Sequence, residues 1–329
     1  MKLVDVPCNL CGSVSRDVIA RGPDFEYRTS DLEFSVVRCR KCNFVYLSPR
    51  PDVSELDRIY PPHYIPYRFD NYLSPLVRWL RMRVQMGKVR ALARFAPENA
   101  AILDVGCGGG FFLQCLREHG SPGWRLTGSD FSGSAMDRVR RMNFEAIPGD
   151  FSTQSIPNES YDVVVLNQVI EHMADPSAIV TKAYRVLRPG GVIFVETPSL
   201  EGWDAQLFRK RCWGGYHFPR HWSFFTQESL GRLLATNGFV VVETTWLLSP
   251  NFWAQSVHHW LTDRGVNERA AMFFDCKNPL ALAVFSLVDL AQKAFAHTSN
   301  LRMAGRKCQG TRLVTKLADT SSYDHGICG

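Results

Sequence analysis

Short apolar runs alternate with helical patterning through the middle of the chain. Ala101-Ile102-Leu103-Asp104-Val105 runs into the glycine-rich Gly106-Cys107-Gly108-Gly109-Gly110, and the residues from there to His119 are helical in pattern. Arg125 to Asp130, Phe144 to Ile147, Tyr161 to Leu166 and Val192 to Glu196 read as further strands. Tyr161 to Leu166 is almost wholly apolar, as a parallel strand covered on both faces requires. Strands that alternate with helices predict an α/β fold built on a mostly parallel sheet. Phe239 to Leu247 is another β-rich run, and Asn300 to Lys307 looks like its returning partner. About fifty residues separate these two, a long span for a hairpin connection.

The N-terminal stretch follows a different rule. Cys8-Asn9-Leu10-Cys11 and Cys39-Arg40-Lys41-Cys42 are two C-x2-C knuckles with 27 residues between them. Each knuckle turns two thiolates toward one point, and two knuckles supply the four soft ligands of a closed tetrahedral zinc site. All four positions are thiolates, leaving none open for water, so the zinc is expected to be structural. Val36-Val37-Arg38 and Phe44-Val45-Tyr46-Leu47 read as the strands of the ribbon. Ser48-Pro49-Arg50-Pro51-Asp52 then breaks the pattern, and Tyr60-Pro61-Pro62-His63-Tyr64 is too proline-rich for a helix interior. The expected organisation is a zinc ribbon over 1–50, a linker over 51–75 and an α/β domain over 76–249 and 299–309. A helical insert over 250–298 is expected to serve as a lid, and 310–329 as a loose tail.

Composition narrows the classes. With 45% hydrophobic and 21% charged residues the chain is an ordinary globular protein. There are 38 Lys+Arg against 32 Asp+Glu, a net charge of +6. Arg78, Arg81, Arg83, Lys88, Arg90 and Arg94, in a stretch without an acid, equal that whole excess. The remainder is neutral, which argues against a nucleic-acid footprint over the protein. At about 100° per residue these cations fall into two groups with apolar residues on both intervening faces. Leu80, Val84, Ala91 and Phe95 form one face; Trp79, Met82, Met86 and Val89 form the other. The expectation is a helix clamped between two apolar neighbours rather than one laid on a membrane. The longest apolar run, Pro279 to Val288, is far short of the roughly 20 residues of a membrane span. Met1 to Cys8 contains no apolar leader, so a cytoplasmic setting with reduced thiols is expected.

The glycine loop carries the first chemistry. Its pattern is D-x-G-x-G-x-G, formed by Asp104, Gly106, Gly108 and Gly110. The dinucleotide fingerprint is not matched, because its third glycine would fall on Phe111. Four further segments follow in order: Arg125 to Asp130, Gly149-Asp150-Phe151, Asn167-Gln168-Val169-Ile170-Glu171-His172, and Leu187-Arg188-Pro189-Gly190-Gly191. Together they resemble the class I S-adenosylmethionine-dependent methyltransferases over Leu92 to Lys307. The resemblance implies a Rossmann-like seven-stranded sheet with a terminal antiparallel strand, and S-adenosylmethionine as cofactor. It implies that Asp104, Gly106, Gly108, Gly110 and Asn167 surround that cofactor and that Asp130 holds the ribose hydroxyls. Asp150 would accept from the adenine amino group, with Phe151 flanking the ring. Taken alone, Asp130 would equally serve to cap the next helix.

Transfer from an activated sulfonium needs alignment and a deprotonated acceptor. A base in an apolar enclosure is therefore sought after the fifth strand. Trp203, Phe208, Trp213, Tyr216, Phe218, Trp222, Phe224 and Phe225 supply aromatic surface there, with His217 and His221 among them. An imidazole pKa of about 6.5 suits a general base, although a lone histidine more simply satisfies nearby backbone groups. The stretch resembles methyltransferases of polysaccharide, lipid or secondary-metabolite pathways. These share an N-terminal cysteine-rich ribbon, the N-Q-V-I-E-H segment and a P-R-H before paired aromatics, here Pro219-Arg220-His221 before Phe224-Phe225. The resemblance implies a small-molecule acceptor and makes His221 the first candidate base, with His172 and His217 behind it. Related quinone O-methyltransferases place a divalent metal on E-x-x-E-H. Here Gln168 replaces the first acid, and a neutral amide is a poor ligand for a hard cation.

Two other functions compete. An RNA methyltransferase with a zinc-ribbon RNA-binding module is disfavoured by the neutral remainder and by Asn167-Gln168-Val169-Ile170 standing where an N-P-P-Y type motif would be. A non-catalytic zinc-ribbon protein with a degenerate methyltransferase-like domain is disfavoured by the intact glycines and acids from 104 to 150. For the insert, the aromatics Phe252, Trp253, Trp260, Phe273, Phe274, Phe285 and Phe295 leave peripheral membrane contact as the alternative to a lid.

Overall fold

The computed structural model describes residues 1–61, 75–275 and 278–308, with the side chains of 75–81 and 268 left aside. The expected tail at 310–329 and the 62–74 portion of the expected linker lie outside the described residues, as do the side chains of Arg78 and Arg81.

The N-terminal unit is built from β1 (Leu3–Val4), β2 (Arg16–Gly22), β3 (Phe34–Cys39), β4 (Val45–Leu47) and β5 (Arg50–Pro51). β2, β3 and β4 form an antiparallel meander, and β5 pairs back on β1. The chain is thus still part of the ribbon within the stretch expected as linker, and the short helix α1 (Leu56–Ile59) sends Ile59 into the same core.

After α2 (Pro75–Ala93), strands and helices alternate: β6 (Ala101–Val105), α3 (Phe111–His119), β7 (Arg125–Asp130), α4 (Gly133–Arg141), β8 (Glu145–Pro148), β9 (Tyr161–Asn167), α5 (Pro176–Val186) and β10 (Leu187–Pro198). Then follow α6 (Trp203–Leu207), β11 (Ser223–Phe224), α7 (Gln227–Thr236) and β12 (Phe239–Leu247). The chain ends its described course with α8 (Pro250–Asp263), α9 (Glu268–Met272), α10 (Pro279–Lys293) and β13 (Asn300–Lys307). Local chemistry starts several helices: Ser132 accepts from the Ala135 N–H, Asp175 from Ala178 ahead of Pro176, and Thr226 exchanges a capping box with Ser229.

Seven strands form one sheet in the order β12-β13-β10-β9-β6-β7-β8. β13 runs antiparallel to both neighbours and the inner strands are parallel, as expected. The near-uniform apolarity of β9 has a direct cause. Val163 and Val165 enter a core with Val89, Leu92 and α3, whereas Val164 and Leu166 enter a second core with α5 and α7 on the opposite face.

Two expectations change. The basic helix α2 is covered only in part: Val89, Ala91 and Leu92 are buried, but Val84, on the same face as Ala91, is 59% exposed. Lys88 pairs with Glu196 at 2.8 Å, and Arg94, just past the helix end, pairs with Glu243. The ribbon, moreover, is not a separate bead. The two-residue strand β11 adds to β4, giving a second sheet in the order β11-β4-β3-β2. Trp213, Tyr216, Phe218, Trp222 and Phe224 accordingly pack with Phe34, Val36 and Leu47 as shared core.

The span between β12 and β13 is helical. α10 buries Ala281, Asp289 and Gln292 and turns Leu280, Val284, Leu287 and Leu290 outward. Asp289 accepts hydrogen bonds from the Ser249 N–H and, at 3.1 Å, from Trp253 Nε1, which ties α10 to the start of α8. No helix among the described residues is long and apolar enough to cross a membrane.

Candidate active site and metal centre

The glycine loop leaves β6 with Gly106, Gly108 and Gly110 at φ of +68°, +52° and +83°. These left-handed conformations disfavour any residue with a Cβ. A Cβ on Gly106 would also stand 2.5 Å from Val169 Cγ2, while one on Gly108 would meet nothing within 4 Å. The backbone at Gly108 is therefore open to a ligand. Asp130, at the end of β7, accepts from the Gly108 N–H at 3.0 Å and the Ser132 N–H at 2.8 Å, so it braces the loop. Beneath lies Asp104, 2% exposed; burial, and then the charge of Asp130, push its carboxyl up to about 8.

A cavity of about 540 Å³ opens on this loop and falls in the size range of small-molecule sites. Asp104, Gly106, Gly108, Asp130 and Asn167 line it. Gly110, Asp150 and Phe151 are not among its walls. Gly110 instead caps α3, Asp150 accepts from the Ser152 N–H and hydroxyl, each at 2.9 Å, and Phe151 is buried in the sheet core. None of the eight aromatics from Trp203 to Phe225 faces the cavity; Tyr60, Phe111, Phe112, Phe131 and Phe252 do.

His172, His217 and His221 all line the cavity, their ring centres 4.5 to 6.3 Å apart. They differ in their partners. His221 lies 2.8 Å through Nδ1 from the Gly215 carbonyl, which can only accept, so that nitrogen carries the proton. Burial, with His172 and His217 alongside, pushes its pKa well below the ordinary value. His172 Nδ1 is 3.1 Å from the Arg220 carbonyl and 2.8 Å from Tyr60 Oη, and burial pushes its pKa down to about 3. His217 Nδ1 is 2.6 Å from Glu26 Oε1, a carboxylate carried by the ribbon.

Several cavity residues had no local signal in the sequence. Lys88 reaches Glu196 Oε1, and Asn300 donates to the same oxygen at 3.1 Å. Gln168 donates to Asn300 Oδ1 at 2.9 Å. Glu171, His172 and His221 bring ligand atoms within 4.8 Å of one another. Burial raises the Glu171 carboxyl to about 8, so at neutral pH it is chiefly the uncharged acid. That set offers one carboxyl and two imidazoles, whereas a hard cation wants several oxygen donors.

At the other end of the ribbon, Cys8, Cys11, Cys39 and Cys42 place their sulfurs within 4.8 Å of one another. Cys8 and Cys42 are 3.4 Å apart, Cys11 and Cys39 3.5 Å. A tetrahedral zinc with Zn–S bonds of about 2.3 Å spaces its sulfurs by about 3.8 Å, so the residues fit the metal. Each knuckle closes on a left-handed residue, Gly12 donating to the Cys8 carbonyl and Asn43 to the Cys39 carbonyl.

A family model described as a methyltransferase domain matches residues 78–244. The chain is 32% identical over 165 residues to a ubiquinone biosynthesis O-methyltransferase of Methylobacterium sp. (strain 4-46), covering 45% of this chain and 64% of that one. It is 32% identical over 149 residues to a Mycolicibacterium smegmatis protein named as a probable S-adenosylmethionine-dependent methyltransferase, covering 44% and 53%. The match thus spans less than two thirds of either relative. A solved SAM-dependent methyltransferase from Thermotoga maritima superposes with a TM-score of 0.48 at 18% identity, covering 77% of this chain and 100% of that one.

Proposed function

This chain belongs to the methyltransferase-domain family, and we propose that it moves a methyl group from S-adenosylmethionine to a small-molecule acceptor, with a histidine taking the acceptor's proton. The observation that carries this is one continuous cavity, whose walls run from Gly106, Gly108 and Asp130 to three histidine rings.

The residues suit the cofactor. Gly108 leaves room where a side chain would stand, and Asp130 offers carboxylate oxygens to a diol. Asp104 and Glu196 supply acids on the same wall for a cationic ligand. When bound, the cofactor supplies a methyl group already activated on a sulfonium. The chain's own work is then alignment and proton removal. Asn251, Phe252 and Gln255 of α8 wall the acceptor side, and we read the insert over 250–298 as its lid. The name of the ubiquinone-pathway relative favours a hydroxyl acceptor. The four cysteines would hold a structural zinc, which suits a reducing, cytoplasmic setting.

Isothermal titration with S-adenosylmethionine, followed by transfer of labelled methyl to a panel of phenols, hydroxy-sugars and lipid precursors, tests the reading. Saturable binding and labelling of a panel member are expected. No binding at millimolar cofactor overturns it.

A further inference from the structure

We propose that the N-terminal ribbon is part of the reaction centre: Glu26, on the loop between β2 and β3, is the positioning residue that makes His217 the acceptor base. This rests on the methyl-transfer reading above and adds to it a catalytic histidine and the unit that serves it.

The contact joins residues 191 positions apart, at 2.6 Å, with side chains only 13% and 15% exposed. A carboxylate cannot donate, so the proton between them sits on His217 Nδ1 and the lone pair of the neutral ring sits on Nε2. A base must become an imidazolium as it works, and a carboxylate on its far side stabilises that charge and fixes the ring. Among the described residues, His217 is the one of the three cavity histidines with an ionised carboxylate at hydrogen-bond distance. His221 and His172 face backbone carbonyls, and Glu171 nearby is chiefly uncharged at neutral pH. Burial works to raise the Glu26 carboxyl, but His217, by its charge when protonated and by its hydrogen bond, outweighs it with help from His259 and Arg220 and holds it below its ordinary value.

The loop around Glu26 is fastened to the methyltransferase part on both sides of that residue. Asp24 receives both Arg220 terminal nitrogens, and the Arg220 guanidinium lies over the Tyr27 ring, 4.2 Å from its centre. Phe25 stacks on His259 of α8 with ring centres 4.7 Å apart. His217 itself sits at φ +40°, ψ +48°. A non-glycine residue there costs on the order of 1 kcal/mol and persists only where its surroundings over-determine it. In the step, the acceptor O–H proton passes to His217 Nε2. The acceptor oxygen bonds the methyl carbon as the carbon–sulfur bond breaks, and its electron pair stays on sulfur.

The test uses the full chain with Glu26→Gln, His217→Gln and the double variant. Cofactor affinity by titration is expected to stay within about twofold in all three, because neither residue belongs to the glycine loop. With catechol as acceptor probe, Glu26→Gln is expected to lower kcat by about 10- to 100-fold at unchanged KM for the cofactor. The double variant should be no slower than His217→Gln. Histidine-selective ¹⁵N NMR should place the His217 proton on Nδ1 and show that resonance alone moving in Glu26→Gln. A kcat within twofold of wild type, or additive losses in the double variant, overturns the proposal. If catechol is not methylated, NMR decides, and a proton on His217 Nε2 overturns it. Failure of the wild type to bind cofactor would instead overturn the methyl-transfer reading.

Discussion

Arg220 donates to both carboxylate oxygens of Asp24, at 3.1 and 2.9 Å, and neither side chain reaches solvent. One residue stands beside the cavity histidines and the other in the ribbon, so this pair holds the two parts together. Burial alone would raise the Asp24 carboxyl, but the Arg220 hydrogen bonds and charge outweigh it and hold it at about 2.

Breaking that pair leaves a buried charge uncompensated. Arg220→Met or Asp24→Leu alone should each cost about 3–5 kcal/mol in denaturant unfolding, and the double variant markedly less. The pH dependence follows from the depressed carboxyl. Its stabilisation is complete above the ordinary value of 3.8 and is lost as pH falls through about 2. Acid unfolding curves of Asp24→Leu/Arg220→Met should therefore be flatter over that window than those of the wild type.

Asp104 makes the second prediction. With its carboxyl raised to about 8, it is largely protonated at neutral pH. A cationic ligand in the cavity favours the charged form and expels the proton. Binding of S-adenosylmethionine at pH 7 should therefore release protons, and its affinity should rise as pH approaches 8. Titration in buffers of different ionisation enthalpy measures the release, which Asp104→Asn should abolish.

Much of the sheet was legible because β6 and β9 must be apolar on two faces, a constraint written locally. The knuckles were legible because thiolate spacing is local too. Asn300 to Lys307 could be matched to β12 by pattern, even across the insert. The acceptor side was not legible in this way. Aromatic density between Trp203 and Phe225 signals a core, but not which core, and a two-residue strand such as β11 leaves no periodicity to read. Its pairing with β4 draws those rings toward the ribbon. Tyr60 and Lys88 line the cavity, and Glu26 touches His217 in its wall, only through tertiary contacts, so no spacing announces them. Asp150 and Phe151 sit in the right order along the chain but are not among the residues lining the cavity.

Zinc content gives the third prediction. Elemental analysis should find about one zinc per chain, lost in Cys39→Ser. Because β3 carries Cys39 at one end and leads back to the Glu26 loop at the other, metal loss should reach the histidines. Chelation is expected to lower turnover before it lowers cofactor affinity, since the glycine loop belongs to the other sheet. Unchanged turnover in a zinc-free folded protein would contradict this coupling.

The last prediction concerns Lys88 and Glu196, 2.8 Å apart in the cavity wall and 12% and 3% exposed. Burial would raise the Glu196 carboxyl, but Lys88, with help from the Asn300 amide, holds it below its ordinary value. Its second oxygen is buried without a hydrogen-bond partner among the described residues, so Lys88 is the main compensation for its charge. Lys88→Met should cost about 3 kcal/mol at neutral pH. In that variant the carboxyl escapes its penalty by taking up a proton, whereas in the wild type protonation destroys the pair. The stability gap between the two proteins should therefore shrink as pH falls. Lys88→Met/Glu196→Gln should recover most of the loss at pH 7 and show little of that pH dependence. Equal losses at pH 5 and 8 would mean that packing of the lysine stem, not its charge, is what α2 contributes to the cavity.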